Sequence, residues 1–150
     1  MANVAGRDVW QVSHVGGCRF APNVVCLPDG VVYGRVQEAD CAGIVDSYRR
    51  GLIECRHLRG RSCYPQPVQA AEYFLRTARQ LDRLDELRLA HTEEADTKEA
   101  GRLEWRVGFR ATRSEESYEV CLASEDAQAA TFKSCSAAAP APRQRFQLLG

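Results

Sequence analysis

Two apolar runs, Val24-Val25-Cys26-Leu27 and Val31-Val32-Tyr33, flank the turn-forming triplet Pro28-Asp29-Gly30. Such a triplet reverses the chain, and β-branched and aromatic residues on both sides favour paired strands, so residues 23–36 predict a β-hairpin. An antiparallel sheet near the N-terminus is thereby built into any fold of this chain. Leu103, Trp105, Val107, Phe109 and Ala111 alternate with Glu104, Arg106, Gly108 and Arg110, as a strand with one buried face requires. Tyr118, Val120 and Leu122 repeat that pattern. Shorter runs at 130–135 and 146–149, separated by the alanine- and proline-rich stretch 137–142, predict that the C-terminal part is a small antiparallel sheet. Residues 8–15 alternate more weakly and predict one further strand running into the Gly16-Gly17 turn.

Between the two strand-rich regions the period changes. Cys41, Ile44, Val45 and Tyr48 share one helical face, with Gly51 as a stop beyond Arg49-Arg50, which predicts a helix over residues 38–51. A second helix is expected from Pro67, where a missing N–H costs nothing, carrying Val68, Ala71, Leu75, Ala78 and Leu81 inward and continuing to Leu87. Residues 91–101 (HTEEADTKEAG) are polar without an apolar period and predict a connecting loop. The fold class is therefore α+β. A chain of 150 residues accommodates one domain with a small lobe, and the change of pattern divides it at residues 1–88 and 89–150.

Lys plus Arg and Asp plus Glu are each 20, so the formal charge is zero, and the electrostatic footprint of a general nucleic-acid binder is missing. No apolar run approaches the length of a membrane span, and MANVAGRDVW has no signal-peptide core, so the expected location is the cytoplasm. In that reducing compartment the seven cysteines are expected to stay reduced, and any special purpose for them is metal or redox chemistry.

Cysteine and histidine concentrate in the first 63 residues. His14 and Cys18 lie four apart around Gly16-Gly17, so a tight loop could aim both at one point; the plain alternative is a polar loop histidine beside a small half-buried thiol. Cys26, Cys41, Cys121 and Cys135 sit in or beside apolar stretches and read as core. Cys55, His57 and Cys63 fall in an arginine-rich segment where a redox or ligand role is the alternative to a solvated loop. Arg56, Arg59 and Arg61 cluster around Gly60 just before a helix, a pattern that suits either a phosphate or acidic-partner site or plain solvation. No GxSxG, HExxH, dinucleotide fingerprint or P-loop is present.

The string HVGGCRFAPNVVCLPDGVVYGR at residues 14–35 resembles the sucrase/ferredoxin-like family, thioredoxin-like ferredoxins with a two-iron two-sulfur (2Fe-2S) cluster. RGRSCYPQPVQAAE at residues 59–72 is similar to the same family's motif ahead of a long helix, and Phe132-Lys133-Ser134-Cys135 looks like its C-terminal region. The resemblance implies a thioredoxin-like C-terminal half, hairpin plus helices, followed by the small antiparallel sheet. It implies that His14 is a cluster and metal ligand, with Cys18 standing where the family often carries a second histidine or an aspartate. Thiolate is the commonest cluster ligand, so that exchange suits iron. The family's Cys-Thr-His-Gly block, which supplies the other ligands, has no counterpart here. The implied site is completed by a second chain, in a homodimer or with a protein carrying the N-terminal ferredoxin half. The expected role is a redox carrier or accessory protein rather than a catalyst, with its electron donor and acceptor unidentified. Two alternatives stand beside it: a cluster-free binding or assembly module that keeps the fold, and an enzyme using Cys18 as a nucleophile activated by the turn and His14.

Overall fold

The computed structural model describes residues 9–95, 102–131 and 141–149, with side chains omitted for 126–131 and 141–143. It is an α+β fold with two antiparallel sheets. In the first, β1 (Asn23–Cys26), β2 (Val31–Gly34) and β3 (Leu58–Arg61) lie in that order. The expected hairpin is β1–β2, with Cys26 opposite Val31 across the Pro28-Asp29-Gly30 turn. Helix α1 (Glu38–Arg49) follows β2 directly. The side chain of Asp40 accepts the Gln37 N–H at 2.9 Å and so satisfies one of the orphan donors at the helix start. Tyr48 near its other end donates its hydroxyl to Asp29 Oδ2 at 2.6 Å, fastening the hairpin turn to the helix.

The core of this half is Val31 and Tyr33 from β2, Val36, Ile44 from α1, Ile53 and Leu58 from β3, all buried. Burying one such side chain contributes roughly 1.5–3 kcal/mol. Of the four residues expected on the inner face of α1, Ile44 is buried, Val45 and Tyr48 are half-buried, and Cys41 is exposed. The short helix meets the sheet along a narrower stripe than the apolar pattern suggests.

Helix α2 (Gln66–Arg79) has Pro67 in its first turn and ends where Gln80 takes the left-handed conformation at φ 55°. The expected extension to Leu87 is therefore incorrect. Leu84 instead donates its N–H to Gly51 O at 2.8 Å, and Leu87 opens the next strand. Their helical spacing comes from two separate packing tasks. Val68, Ala71 and Leu75 of α2 face the second sheet and form the other core with Leu87, Trp105, Val107, Phe109, Val120 and Leu122.

That second sheet is a four-stranded meander, β4 (Leu87–Ala95), β5 (Arg102–Ala111), β6 (Ser117–Thr131) and β7 (Ala141–Leu148). The alternation at Leu103–Ala111 gives the buried face of β5, paired residue by residue with β6 from Arg102 opposite Glu125 to Arg110 opposite Ser117. The polar run that predicts a loop over 91–101 is corrected through Ala95. Residues 91–95 complete β4 as an edge strand with both faces exposed, held by backbone pairing to β5; residues 96–101 lie outside the described set. The run at 130–135 is no separate strand at its start, since Ala130 and Thr131 belong to β6, and residues 132–135 also lie outside the described set.

The strand expected over 8–15 is absent among the described residues. Residues 9–15 are irregular, and β1 pairs with β2 alone. Alternation without a neighbouring edge to pair with leaves Val9, Trp10, Val12 and Val15 exposed.

Candidate functional site

Gly16 (φ 82°) and Gly17 (φ 63°) are consecutive left-handed residues, a backbone that glycine adopts without a side-chain penalty. They fold the chain so that His14 and Cys18 face each other, with Nδ1 and Sγ 3.5 Å apart and both side chains exposed. Cys18 opens a single 3-10 turn (Cys18–Phe20), in which the Phe20 N–H donates to Gly17 O at 2.8 Å.

The loop is braced from the sheet. Asn23, the first residue of β1, donates through Nδ2 to Gly16 O at 3.3 Å and to Gly17 O at 3.2 Å. Its Oδ1 in turn accepts from Nη1 of Arg59 in β3 at 3.3 Å. Arg59 crosses β2 at Gly34, where a Cβ would stand 2.5 Å from its Cδ, so the missing side chain is what lets the arginine pass. Its guanidinium lies 4.2 Å from the centre of the Phe20 ring. Burial, and secondarily the like charge of Arg19, pull the Arg59 pKa below its ordinary value.

Tetrahedral ligation with a metal–sulfur bond of ~2.3 Å and a metal–nitrogen bond of ~2.0–2.1 Å places two ligand atoms about 3.6 Å apart. The His14–Cys18 separation of 3.5 Å matches that spacing. The same 3.5 Å is also the length of a hydrogen bond between the thiol and the ring nitrogen, a contact that needs no metal. Among the described residues no group of three or more His, Cys, Asp or Glu side chains gathers to hold a metal ion.

Beside the loop runs an open groove of about 410 Å³, lined by Phe20, Gly34, Arg35, Arg56, His57, Leu58, Arg59 and Tyr73. Arg35 lies 5.5 Å and Arg19 4.7 Å from the centre of the Phe20 ring that Arg59 also covers. Cationic side chains thus converge on one aromatic ring from three separate places in the chain.

Residues 2–60 match the sucrase/ferredoxin-like family. The match takes in the His14–Cys18 loop, the hairpin and α1, and it ends inside β3, one residue after Arg59. No curated protein and no solved structure matches the chain. The resemblance carried by residues 14–35 thus falls wholly inside the family match, whereas α2 and the four-stranded sheet lie beyond it.

The other cysteines divide differently from their expected core role. Cys26 and Cys121 are half-buried, Cys41 is exposed, and Cys135 lies outside the described residues. Burial, followed by the charge of Asp29, raises the Cys26 pKa. Cys55 is also half-buried and Cys63 exposed. The Cys55 thiol is pushed up chiefly by burial, against a smaller opposing effect of Arg76, so its surroundings favour the neutral thiol over the thiolate that metal or redox work needs. His57 sits 3.4 Å from Asp40 Oδ2 and links the segment before β3 to the start of α1.

Of the arginines around Gly60, Arg56 and Arg59 line the groove while Arg61 turns inward, its Nε 3.3 Å from Glu72 Oε1. A regular strand puts residues two apart on one face, which groups Arg59 with Arg61 in the sequence, but the β2–β3 pairing shifts register between Val32 and Tyr33 and the two side chains take different partners. Sequence reasoning missed Phe20, Asn23 and Arg35. The glycines at 17 and 34 are the local trace of their packing, but only the β1–β2–β3 register brings them together.

Proposed function

We propose that this chain is a 2Fe-2S electron-transfer protein of the ferredoxin class, whose cluster site is completed by a second chain. The observation that supports the reading is the His14–Cys18 pair, an imidazole nitrogen and a thiol sulfur 3.5 Å apart on the part of the chain that matches the sucrase/ferredoxin-like family. When bound, the cluster supplies a one-electron couple, and imidazole in place of thiolate raises its potential relative to all-cysteine ligation. His14 Nδ1 and Cys18 Sγ would hold one iron of the cluster. Asn23 and Arg59 fix the turn that aims them, and the exposure of both ligands leaves a short path for an electron to enter from a donor and leave to an acceptor. No bond to substrate forms or breaks. The remaining ligands come from a second copy, each giving the same pair, or from a protein carrying the other half. Such a protein works in the cytoplasm, where thiols stay reduced.

Anaerobic reconstitution with iron and sulfide tests the reading, with metal content, acid-labile sulfide and native mass as readouts. Expected are iron and sulfide in equal amounts, a visible absorption band, and a loaded species larger than one chain; His14→Ala and Cys18→Ala each reduce the iron retained. A colourless chain that retains no iron, alone or with a candidate other half, overturns the proposal and leaves a cluster-free binding or assembly module.

A further inference from the structure

The groove beside the loop has a property that the cluster reading does not use. Arg35, Arg56 and Arg59 line it, and none of its lining residues is acidic. Arg59 is half-buried, and among the described residues its guanidinium has one acceptor, Asn23 Oδ1, and no carboxylate. Arg35 reaches the groove from a left-handed backbone position (φ 56°), where its N–H donates to Phe20 O at 2.6 Å, and it too has no carboxylate partner among the described residues. Arg56 and His57 share Asp40, at 4.0 Å and 3.4 Å, and the Arg56 side chain is 77% exposed. Like charges gathered on one aromatic ring repel each other, and the ring quadrupole offsets only part of that cost. A half-buried cation without a counter-charge is a standing electrostatic debt.

We propose that this groove is a binding site for a phosphate-bearing small molecule. Each guanidinium presents a planar fork of donors that matches phosphate oxygens in pairs. A volume of about 410 Å³ lies within the ~300–1,000 Å³ typical of small-molecule sites. Tyr73 supplies an apolar wall for the part of the ligand that bears no charge, the Phe20 ring being covered by the guanidinium groups. An acidic protein segment would meet the same charges, but a groove of this volume holds a small molecule rather than a length of chain. Because Arg59 also holds Asn23, and Asn23 holds the Gly16 and Gly17 carbonyls, a ligand engaging Arg59 touches the brace of the metal-ligating loop.

The test is calorimetric titration of the intact chain at constant ionic strength with inorganic pyrophosphate and, separately, with ADP. Expected is saturable binding at a single site, weakened about tenfold or more in Arg35→Gln and in Arg56→Gln, since a hydrogen bond to a charged group is worth about a factor of ten. Arg88→Gln, an exposed arginine on β4, removes the same charge and should leave binding unchanged. Equal affinity for both ligands means that the phosphates alone are recognised, and tighter ADP binding means that the walls take the nucleoside. Circular dichroism identical to wild type confirms that the variants fold. Absence of saturable binding overturns the proposal, as does an equal loss in Arg88→Gln, or binding of a polyglutamate peptide by a chain that ignores both phosphates. None of these results depends on iron, so they stand apart from the outcome of reconstitution.

Discussion

The Arg59 guanidinium occupies the space that a side chain on Gly17 would need: a Cβ there would stand 2.5 Å from Nη1 and 2.9 Å from Cζ. At Gly16 nothing lies within 4 Å, although its φ of 82° is equally left-handed. Alanine at position 16 therefore brings backbone strain only, on the order of 1 kcal/mol, whereas alanine at position 17 adds displacement of Arg59 from Asn23. We expect the Phe20 and Ala21 amides, which donate to Gly17 O and Cys18 O, to exchange with solvent faster in Gly17→Ala than in Gly16→Ala. Hydrogen-exchange mass spectrometry measures the difference, and equal rates would remove Arg59 from the account of the loop.

Asn23 serves the loop and the arginine through different atoms, which makes the two roles separable. Asn23→Ala loses the donors to the Gly16 and Gly17 carbonyls and the acceptor for Arg59, at about 1 kcal/mol net for each. Asn23→Asp keeps an acceptor for Arg59 and loses only the donors. Exchange across residues 16–21 should rise in both variants, while thermal stability falls further in Asn23→Ala. A greater loss of stability in Asn23→Asp would contradict this assignment.

How much of this was readable in the chain follows from how local each signal is. The hairpin around Pro28-Asp29-Gly30 and the alternation of β5 are decided by residues within one strand length, and both stand as expected. The His14–Cys18 approach is also local, since two glycines separated by no side chain fold four residues into a turn. Residues 9–15 and 91–95 failed in opposite directions for one reason, namely that strand formation depends on an available edge. Val9 to Val15 has the pattern and no partner; His91 to Ala95 lacks the pattern and pairs with β5. The groove is the least legible part, because Phe20, Arg35 and Arg59 converge only through the register of three strands.

Two phenols give the fold a defined alkaline limit. The Tyr33 pKa is pushed up to about 12, above all by burial, and that of Tyr48 also to about 12, by burial and then by its hydrogen bond to Asp29. An unfolded tyrosine ionises near ~10. A folded value above the unfolded one means that the stabilisation is complete below about pH 10 and is lost as pH rises towards 12. Of the five tyrosines, Tyr118 also has a raised pKa, from its hydrogen bond to Glu116 at the surface, so tyrosinate absorbance should rise in two stages with Tyr33 and Tyr48 as the two phenols that ionise in step with unfolding. Tyr48→Phe should remove one of the late ionisations; a late stage that still counts two phenols in that variant would contradict the assignment.

Glu72 and Arg76 lie one helical turn apart on α2, both sealed from solvent, with Arg76 Nε 3.0 Å from Glu72 Oε1. Arg76 also donates to Leu81 O and Arg83 O, and Arg61 donates to Leu84 O, so one carboxylate anchors the cations that hold the loop after α2. Removing one partner leaves a buried charge without its counter-charge, at about 3–5 kcal/mol. Glu72→Ala should lower the denaturant midpoint strongly, and Glu72→Gln, which keeps an acceptor, less so. Added salt should not narrow the gap, because buried pairs are poorly screened. Equal midpoints for the two variants would show that charge plays no part.

The final prediction concerns the second chain. Trp10 is 83% exposed and stands with Val9, Val12 and Val15 on the segment leading into His14, whereas the other tryptophan, Trp105, is buried in the sheet core. A chain that completed the proposed cluster at His14 and Cys18 would approach this same segment, and exposed apolar side chains there are the surface it would cover. Trp10 then becomes its reporter. The difference between wild-type and Trp10→Phe emission isolates this residue, and the substitution disturbs no core because the ring packs in none. In the metal-free chain at low concentration the difference spectrum should be that of a water-exposed indole. On reconstitution with iron and sulfide it should shift to shorter wavelength, in parallel with the increase in native mass. Trp10→Phe should keep its iron while Trp10→Asp, which places a charge in the covered surface, should lose both assembly and iron. If the chain acquires iron with the indole still fully exposed and the mass unchanged, the ligands come from one chain, and the two-chain site must be given up.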